Sequence, residues 1–131
     1  GAMTANQLNL PYVYVLPKPK EQGLGNQIER HVEKGRKVLV IEDLISTGKS
    51  SLQVCDVLKA AGVEVIGMVS IFTYGFAVAD EAFRAAGIPY HSLTNYQNLI
   101  GLAVEKGIVG ENEQNTLLNW RSDPANWMQN A

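Results

Sequence analysis

The segment that most constrains the fold is a run of fourteen residues from Val38 to Ser51, with the sequence VLVIEDLISTGKSS. Its first four residues are apolar, which is typical of a strand buried on both faces of a parallel sheet. Two acids follow, Glu42 and Asp43, and then a short loop of small and hydroxyl residues that opens a helix. Because open α/β sheets bind ligands outside the carboxyl ends of their strands, the segment predicts a ligand site at that edge.

The loop after the acids consists of Ser46, Thr47, Gly48, Lys49 and Ser50. Backbone N–H groups at a glycine-containing turn and at a helix N-terminus suit a phosphate, and the helix dipole adds positive potential. The acids would repel that phosphate, so they predict a partner that is neutral and hydroxylated, or a metal. A sugar phosphate satisfies both requirements. An ordinary helix N-cap by Thr47 or Ser50 is a second interpretation of the loop and is compatible with the first.

The sequence Gly48-Lys49-Ser50 also imitates the end of a nucleotide-binding P-loop. That motif requires a glycine five positions before Gly48, where this chain has Asp43. An acid there would repel a nucleotide triphosphate, so we exclude the P-loop interpretation.

The hydrophobic run, the acid pair and the Thr-Gly loop together resemble the phosphoribosyl-pyrophosphate signature of type I phosphoribosyltransferases. Within that family, residues 18–29 (KPKEQGLGNQIE) resemble the mobile catalytic loop of the orotate phosphoribosyltransferases. Residues 71–75 and the tail at 117–127 resemble the same group. The likeness covers nearly the whole chain from about Thr4 onward.

The resemblance implies that Glu42 and Asp43 hydrogen-bond the ribose 2- and 3-hydroxyls, and that their charge favours an oxocarbenium-like transition state. It implies that the loop at 46–50 binds the 5-phosphate and that Mg²⁺ bridges pyrophosphate and ribose oxygens through the substrate. Lys20, with Lys18 beside it, would neutralise the departing pyrophosphate while closure of their loop excludes water. Lys20 and Asp43 are thus the predicted catalytic residues. Two solvated lysines are the alternative interpretation of that loop.

Two residues of the predicted catalytic loop depart from the family pattern. Leu16 stands where an arginine is usual, and Gln22 where a histidine is usual. Leucine cannot contact a phosphate by charge, and glutamine cannot transfer a proton near neutral pH. No arginine lies between Arg36 and Arg84 to hold the orotate carboxylate. Three residues after a later strand either border the base site or pack internally: Thr73, Tyr74 and Phe76.

The bulk properties exclude several classes of protein. A net charge of −2 and a pI near 5.6 argue against nonspecific binding to nucleic acid or to a membrane surface, both of which need a basic field. No apolar run approaches the roughly 20 residues needed to span a bilayer, and no signal peptide is visible. The single cysteine, Cys55, cannot form an internal disulfide. We therefore expect a cytoplasmic protein.

We interpret residues 1–3 as a cloning scar and residues 4–131 as one α/β domain, a parallel-sheet phosphoribosyltransferase core truncated at its N-terminus. Relative to the family it would lack the N-terminal hood and the first core strand, which predicts an exposed sheet edge or face. The predicted elements include strands at 27–33 and 37–42, a helix at 50–61 that Gly62 ends, and a helix at 111–121. A further helix before Gly87 has four apolar residues on one face: Ala79, Ala82, Phe83 and Ala86.

The resemblance implies an enzyme that joins orotate to phosphoribosyl pyrophosphate, giving orotidine 5-monophosphate and pyrophosphate in pyrimidine synthesis. It also implies a homodimer in which the catalytic loop reaches into the neighbouring subunit's site. We expect little turnover from this chain alone, because the pyrophosphate-binding loop is missing. Two alternatives stay open: a noncatalytic phosphoribosyl-pyrophosphate-binding regulator, which Leu16 and Gln22 favour, and a purine phosphoribosyltransferase.

Overall fold

The computed structural model describes residues 1–16 and 27–127 of the chain. The helices are α1 (Ala2–Leu8), α2 (Lys49–Ala60), α3 (Ala77–Ala86), α4 (Tyr96–Glu105) and α5 (Glu111–Ser122), followed by a 3-10 turn at Pro124–Asn126. The strands are β1 (Tyr14–Val15), β2 (Ile28–Glu29), β3 (Lys37–Ile45), β4 (Glu64–Thr73) and β5 (Tyr90–Asn95).

The main sheet has the strand order β3-β4-β5, and both pairings are parallel. Val40 lies opposite Met68, which in turn lies opposite Tyr90, so these three side chains share one face of the sheet. Helices α2 and α3 make the crossovers between the strands. The predicted α/β class with a parallel sheet is confirmed. A separate antiparallel pair joins β1 to β2 and places Val15 opposite Ile28.

The core lies between this sheet and the helices α2 and α3. The ring of Phe83, on α3, packs against the ring of Tyr90, on β5, with their centroids 4.5 Å apart. Of the apolar residues predicted on one face of α3, Ala79 and Phe83 are fully buried, and Gly87 ends the helix with a left-handed backbone. The least exposed apolar side chains of the core are Ile45, Cys55, Leu58, Met68, Ala79 and Phe83.

Two strands differ from their predicted lengths. The strand predicted to end at Glu42 continues to Ile45, because Leu44 and Ile45 still pair with Phe72 and Thr73 of β4. The strand predicted at 27–33 is only Ile28–Glu29, because Arg30 has φ 76°, which interrupts the extended backbone. Helices α2 and α5 match their predicted bounds to within one residue at each end.

The face of the sheet away from α2 and α3 is largely uncovered. Ile71, on β4, is 58% exposed and Leu93, on β5, is 71% exposed. Among the strands of the described ranges, β3 pairs only with β4, so its other side is a sheet edge. The sequence predicted an exposed edge or face, and the described residues show both. The prediction that residues 38–41 form a strand buried on both faces is wrong, because Leu39, on this uncovered face, is 48% exposed. Within the same ranges, no helix combines the length and hydropathy that a membrane crossing needs.

Candidate functional site

The carboxyl ends of β3, β4 and β5 meet at one edge of the sheet, because the three strands run parallel. The last residues of these strands, Ile45, Thr73 and Asn95, lie in register there. The backbone N–H of Tyr74 donates to the carbonyl of Ile45 at 3.1 Å, which joins the segment after β4 to the end of β3. This is the edge at which α/β sheets bind ligands.

The Ser46–Ser50 loop leaves β3 at this edge and enters α2 through Gly48. Gly48 is the N-cap residue of α2, with φ 81°, and no side chain caps the helix. The predicted N-cap by Thr47 or Ser50 is therefore wrong, because the cap position falls between them on a residue without a side chain. The first N–H groups of a helix have no partner within it, so those of α2 are available to an anion.

The loop backbone approaches the core closely at Gly48. A Cβ built on this glycine would lie 2.9 Å from Cε2 of Phe83 and 3.7 Å from the backbone of Ala79. Gly48 itself is buried, whereas Thr47, Lys49 and Ser50 are exposed. The loop thus rests on α3 through its glycine, and its hydroxyl and lysine side chains face away from the core.

The two predicted acids lie within β3 and differ in their surroundings. Glu42 is half-buried, opposite Ser70, while Asp43 is exposed. Burial and, secondly, the negative charge of Asp43 raise the pKa of the Glu42 carboxyl above its ordinary value. Oδ1 of Asp43 accepts the backbone N–H of Leu44 at 2.8 Å. Because successive strand residues point to opposite faces, a ligand held by both carboxylates would reach across the strand between them.

The predicted loop lysines, Lys18 and Lys20, lie outside the described residues, and so does Gln22. The residues on either side of that segment lie close together. The N–H of Leu16 donates to the carbonyl of Gln27 at 2.7 Å, and Nε2 of Gln27 donates to the carbonyl of Leu16 at 3.4 Å. The structure therefore brings the acids and the Ser46–Ser50 loop to one edge, and it does not place the lysines relative to them.

An aromatic cluster lies beside the same edge. Tyr74 and Phe76 stack with their centroids 5.2 Å apart, and Trp120 of α5 approaches Tyr74 edge-on at 5.8 Å. Their rings pack against α4 and α5, which is one of the two interpretations left open for them. Thr73 is buried, and its Oγ1 accepts the backbone N–H of Gly75 at 3.0 Å.

One residue that contacts this edge was not predicted from the sequence as a site residue. Arg121, on α5, donates from Nε to the carbonyl of Tyr74 and from Nη2 to the carbonyl of Gly75, both at 2.7 Å. The resemblance of the C-terminal tail includes Arg121, but no spacing in the chain indicates which distant loop it contacts. Among residues 1–16 and 27–127, no three His, Cys, Asp or Glu side chains form a group that could hold a metal.

Comparison with known proteins identifies the class. Residues 2–89 match the family model of the phosphoribosyl transferase domain, and the chain belongs to that family. Within it the chain is similar to orotate phosphoribosyltransferases. It is 48% identical over 127 residues to the enzyme of that name from Cytophaga hutchinsonii, covering 97% of this chain and 61% of the relative. It is 52% identical over 124 residues to the one from Bacillus subtilis, covering 95% and 57%.

A solved structure agrees with these relatives. The crystal structure of orotate phosphoribosyltransferase from Aeropyrum pernix superposes with a TM-score of 0.69 at 28% identity, covering 83% of this chain and 59% of that one. The resemblance predicted from the sequence is confirmed, as is the type I phosphoribosyltransferase fold. The chain spans about 60% of the length of the curated relatives it matches.

Proposed function

We propose that this chain provides the phosphoribosyl-pyrophosphate site of an orotate phosphoribosyltransferase, which transfers a phosphoribosyl group to orotate and releases pyrophosphate. The observation that carries the proposal is the Ser46–Ser50 loop, which leaves β3 two residues beyond the acid pair and enters α2 at Gly48 without a capping side chain. The 48–52% identity to proteins named orotate phosphoribosyltransferase supports the choice of base.

The groups at this edge suit a sugar phosphate. The first-turn N–H groups of α2 and the hydroxyls of Ser46, Thr47 and Ser50 would donate to the 5-phosphate. Glu42 and Asp43 would accept hydrogen bonds from the two ribose hydroxyls. As the bond from the anomeric carbon to pyrophosphate breaks, positive charge develops on the sugar, and these two carboxylates would stabilise it. In this reaction Asp43 is the catalytic residue, and its carboxylate acts as a fixed negative charge.

The donor set also bears on Mg²⁺, the ion that the family resemblance implies. Glu42 and Asp43 offer hard carboxylate oxygens, which suit Mg²⁺, but the described residues do not surround an ion with three such ligands. We therefore propose that Mg²⁺ arrives bound to the substrate, with the chain supplying at most one or two oxygens. Bound there, it would neutralise charge on the pyrophosphate.

The departing pyrophosphate needs further positive charge. We assign this role to Lys20, with Lys18 beside it. Both belong to the segment between Leu16 and Gln27, and these two flanking residues are hydrogen-bonded to each other. The homodimer that the resemblance implies would let this segment reach a neighbouring subunit, and the uncovered apolar residues of β4 and β5 are compatible with burial in such an assembly. We propose the cytoplasm as the location, as pyrimidine synthesis and the lone cysteine suggest.

One observation favours a second candidate, a noncatalytic phosphoribosyl-pyrophosphate-binding regulator. Leu16 is half-buried at the end of the β1–β2 pair, where the family usually has an arginine. A leucine there supplies no charge to a phosphate. Such a regulator would bind the sugar phosphate at the same edge but would not turn over orotate.

The first experiment is a titration of phosphoribosyl pyrophosphate with Mg²⁺ into the chain, followed through the backbone amides of residues 42–51 by NMR. We expect shifts confined to these residues and to the neighbouring β4–α3 connection. Absence of shifts there would contradict the proposed site. Turnover is then compared with orotate, adenine and hypoxanthine on the protein in its full length. Binding without turnover of any base would favour the regulator, and turnover of a purine base alone would contradict the assignment to orotate.

A further inference from the structure

The segment Tyr74–Phe76, which connects β4 to α3, lies beside the proposed sugar-phosphate site. Its first residue donates a backbone hydrogen bond to Ile45, and Ile45 directly precedes the Ser46–Ser50 loop. A ligand with its phosphate on that loop and its sugar at Glu42 and Asp43 has the β4–α3 segment as its next neighbour along the edge. The position of this segment therefore affects the group that is attached to the sugar of the bound ligand.

Arg121 holds this segment by two parallel hydrogen bonds across 46 and 47 residues of chain. Its Nε donates to the Tyr74 carbonyl and its Nη2 to the Gly75 carbonyl, each at 2.7 Å. Such a pair fixes both the distance and the orientation of the two peptide units, because the guanidinium is planar and its donors are rigidly spaced. A lysine has the same charge but cannot make the pair in this geometry.

Gly75 shows how closely the guanidinium is fitted to the segment. It has φ 67°, and a Cβ at this position would lie 2.9 Å from Nη2 of Arg121. A side chain here would therefore strain the backbone and displace the arginine at the same time. The arginine and the glycine form a matched contact.

Helix α5 is itself fixed in place, so Arg121 acts from a firm support. The indole of Trp120 lies 5.6 Å from the ring of Tyr96 and 6.1 Å from that of Phe76. The hydroxyl of Tyr96 donates to the carbonyl of Leu117 at 3.2 Å, which joins α4 to α5. Helix α5 thus reaches the β4–α3 segment through two side chains, and Arg121 is the one that hydrogen-bonds its backbone.

From these contacts, and on the basis of the function proposed above, we propose that Arg121 is a positioning residue. Through the carbonyls of Tyr74 and Gly75 it sets the β4–α3 segment in the position that the base of a bound nucleotide requires. It acts on the base side of the site and leaves the phosphate side to the Ser46–Ser50 loop.

The test compares Arg121→Lys with Arg84→Lys, a matched change at an exposed arginine on α3. Affinities for ribose 5-phosphate and orotidine 5-monophosphate are measured by calorimetry. We expect Arg121→Lys to weaken the binding of orotidine 5-monophosphate roughly tenfold, as the loss of one charged hydrogen bond would do. The affinity for ribose 5-phosphate should change less than about twofold. Arg84→Lys should change neither. An equal loss for both ligands, or no loss for either, would overturn the proposal.

Two further measurements separate positioning from general damage. In Arg121→Ala, added methylguanidinium should restore binding of orotidine 5-monophosphate, whereas methylammonium at the same concentration should not. Without ligand, the Gly75 amide should exchange its hydrogen faster in Arg121→Lys, with the Met68 amide in the core of β4 unchanged. If wild type bound neither ligand, the proposed function would fail, and unaltered exchange at Gly75 would independently show that Arg121 does not hold the segment.

Discussion

Gly48 and Phe83 leave no room for a side chain between them, since a Cβ on the glycine would stand only 2.9 Å from Cε2 of the ring. Phe83 is 1% exposed and lies on the face of α3 that packs into the hydrophobic core, so it cannot move aside without disturbing its neighbours. The left-handed backbone of Gly48, at φ 81°, adds a second requirement for glycine. The start of α2 therefore depends on a core residue of the following helix.

Replacement of Gly48 by alanine should cost more stability than the same change at Gly35. Both glycines have φ 81°, but a Cβ on Gly35 would meet no atom of the described chain within 4 Å. We expect about 1–2 kcal/mol for Gly35→Ala from backbone strain, and about 1–3 kcal/mol more for Gly48→Ala from overpacking against Phe83. Urea unfolding of both variants measures the difference. Equal losses would mean that the contact with Phe83 carries no energetic weight.

The two acids of β3 should be needed for ligand binding and not for folding. We expect the double variant Glu42→Gln, Asp43→Asn to abolish detectable binding of phosphoribosyl pyrophosphate, because neither amide supplies the charge of a carboxylate. Calorimetry gives the affinity, and circular dichroism checks the fold. Glu64→Gln, at the opposite end of the sheet, serves as the control and should bind as wild type does. Unchanged affinity in the double variant would remove these acids from the site.

Glu42 should reduce stability as the pH rises. Burial raises its pKa in the folded chain above the ordinary value of 4.5, so the folded state holds this proton more tightly than the unfolded state. Folded-state stability then falls as pH increases from about 4.5 through the raised pKa, because the buried group must ionise. Glu42→Gln removes this penalty, so its stability relative to wild type should increase over that interval and then level off. Urea unfolding between pH 4 and pH 8, in roughly half-unit steps, tests this. A difference that does not vary with pH would contradict it.

Ionisation of Tyr90 should lower the stability of the folded chain in a corresponding way at alkaline pH. Burial first, and then the hydrogen bond it donates to Asp80, raise its pKa from 10.0 to about 12. The folded state keeps the phenol proton where the unfolded state loses it, so this contribution to stability declines between pH 10 and about pH 12. Tyr90→Phe should be less stable than wild type at neutral pH by about 1 kcal/mol, through loss of the hydrogen bond.

The deficit of Tyr90→Phe should shrink as the pH is raised through that interval. Unfolding by urea at neutral pH and at two alkaline values measures it. A constant stability deficit for Tyr90→Phe would show that the hydroxyl of Tyr90 in the wild type does not titrate differently in the folded and unfolded states.

Much of the fold could be predicted because its signals are local. The apolar run at 38–41, the helical spacing of Ala79 and Phe83, and the position of Gly87 each depend on a few neighbouring residues. The loop after the acids was located in the same way. The bounds of β3 and β2 could not be, since one depends on pairing with β4 and the other on the backbone angle of Arg30.

The sequence by itself determined the family, the order of strands and helices, and the place of the acids and the Ser46–Ser50 loop towards the carboxyl end of the strand that contains the apolar run. These follow from short-range patterns that a chain displays before it folds. Only the tertiary structure decided that Gly48, and no side chain, caps α2, that Phe83 supports it, and that Arg121 holds Tyr74 and Gly75. The last two are contacts between residues 35 to 47 positions apart. Such contacts depend on how helices pack against the sheet, and no local pattern encodes them.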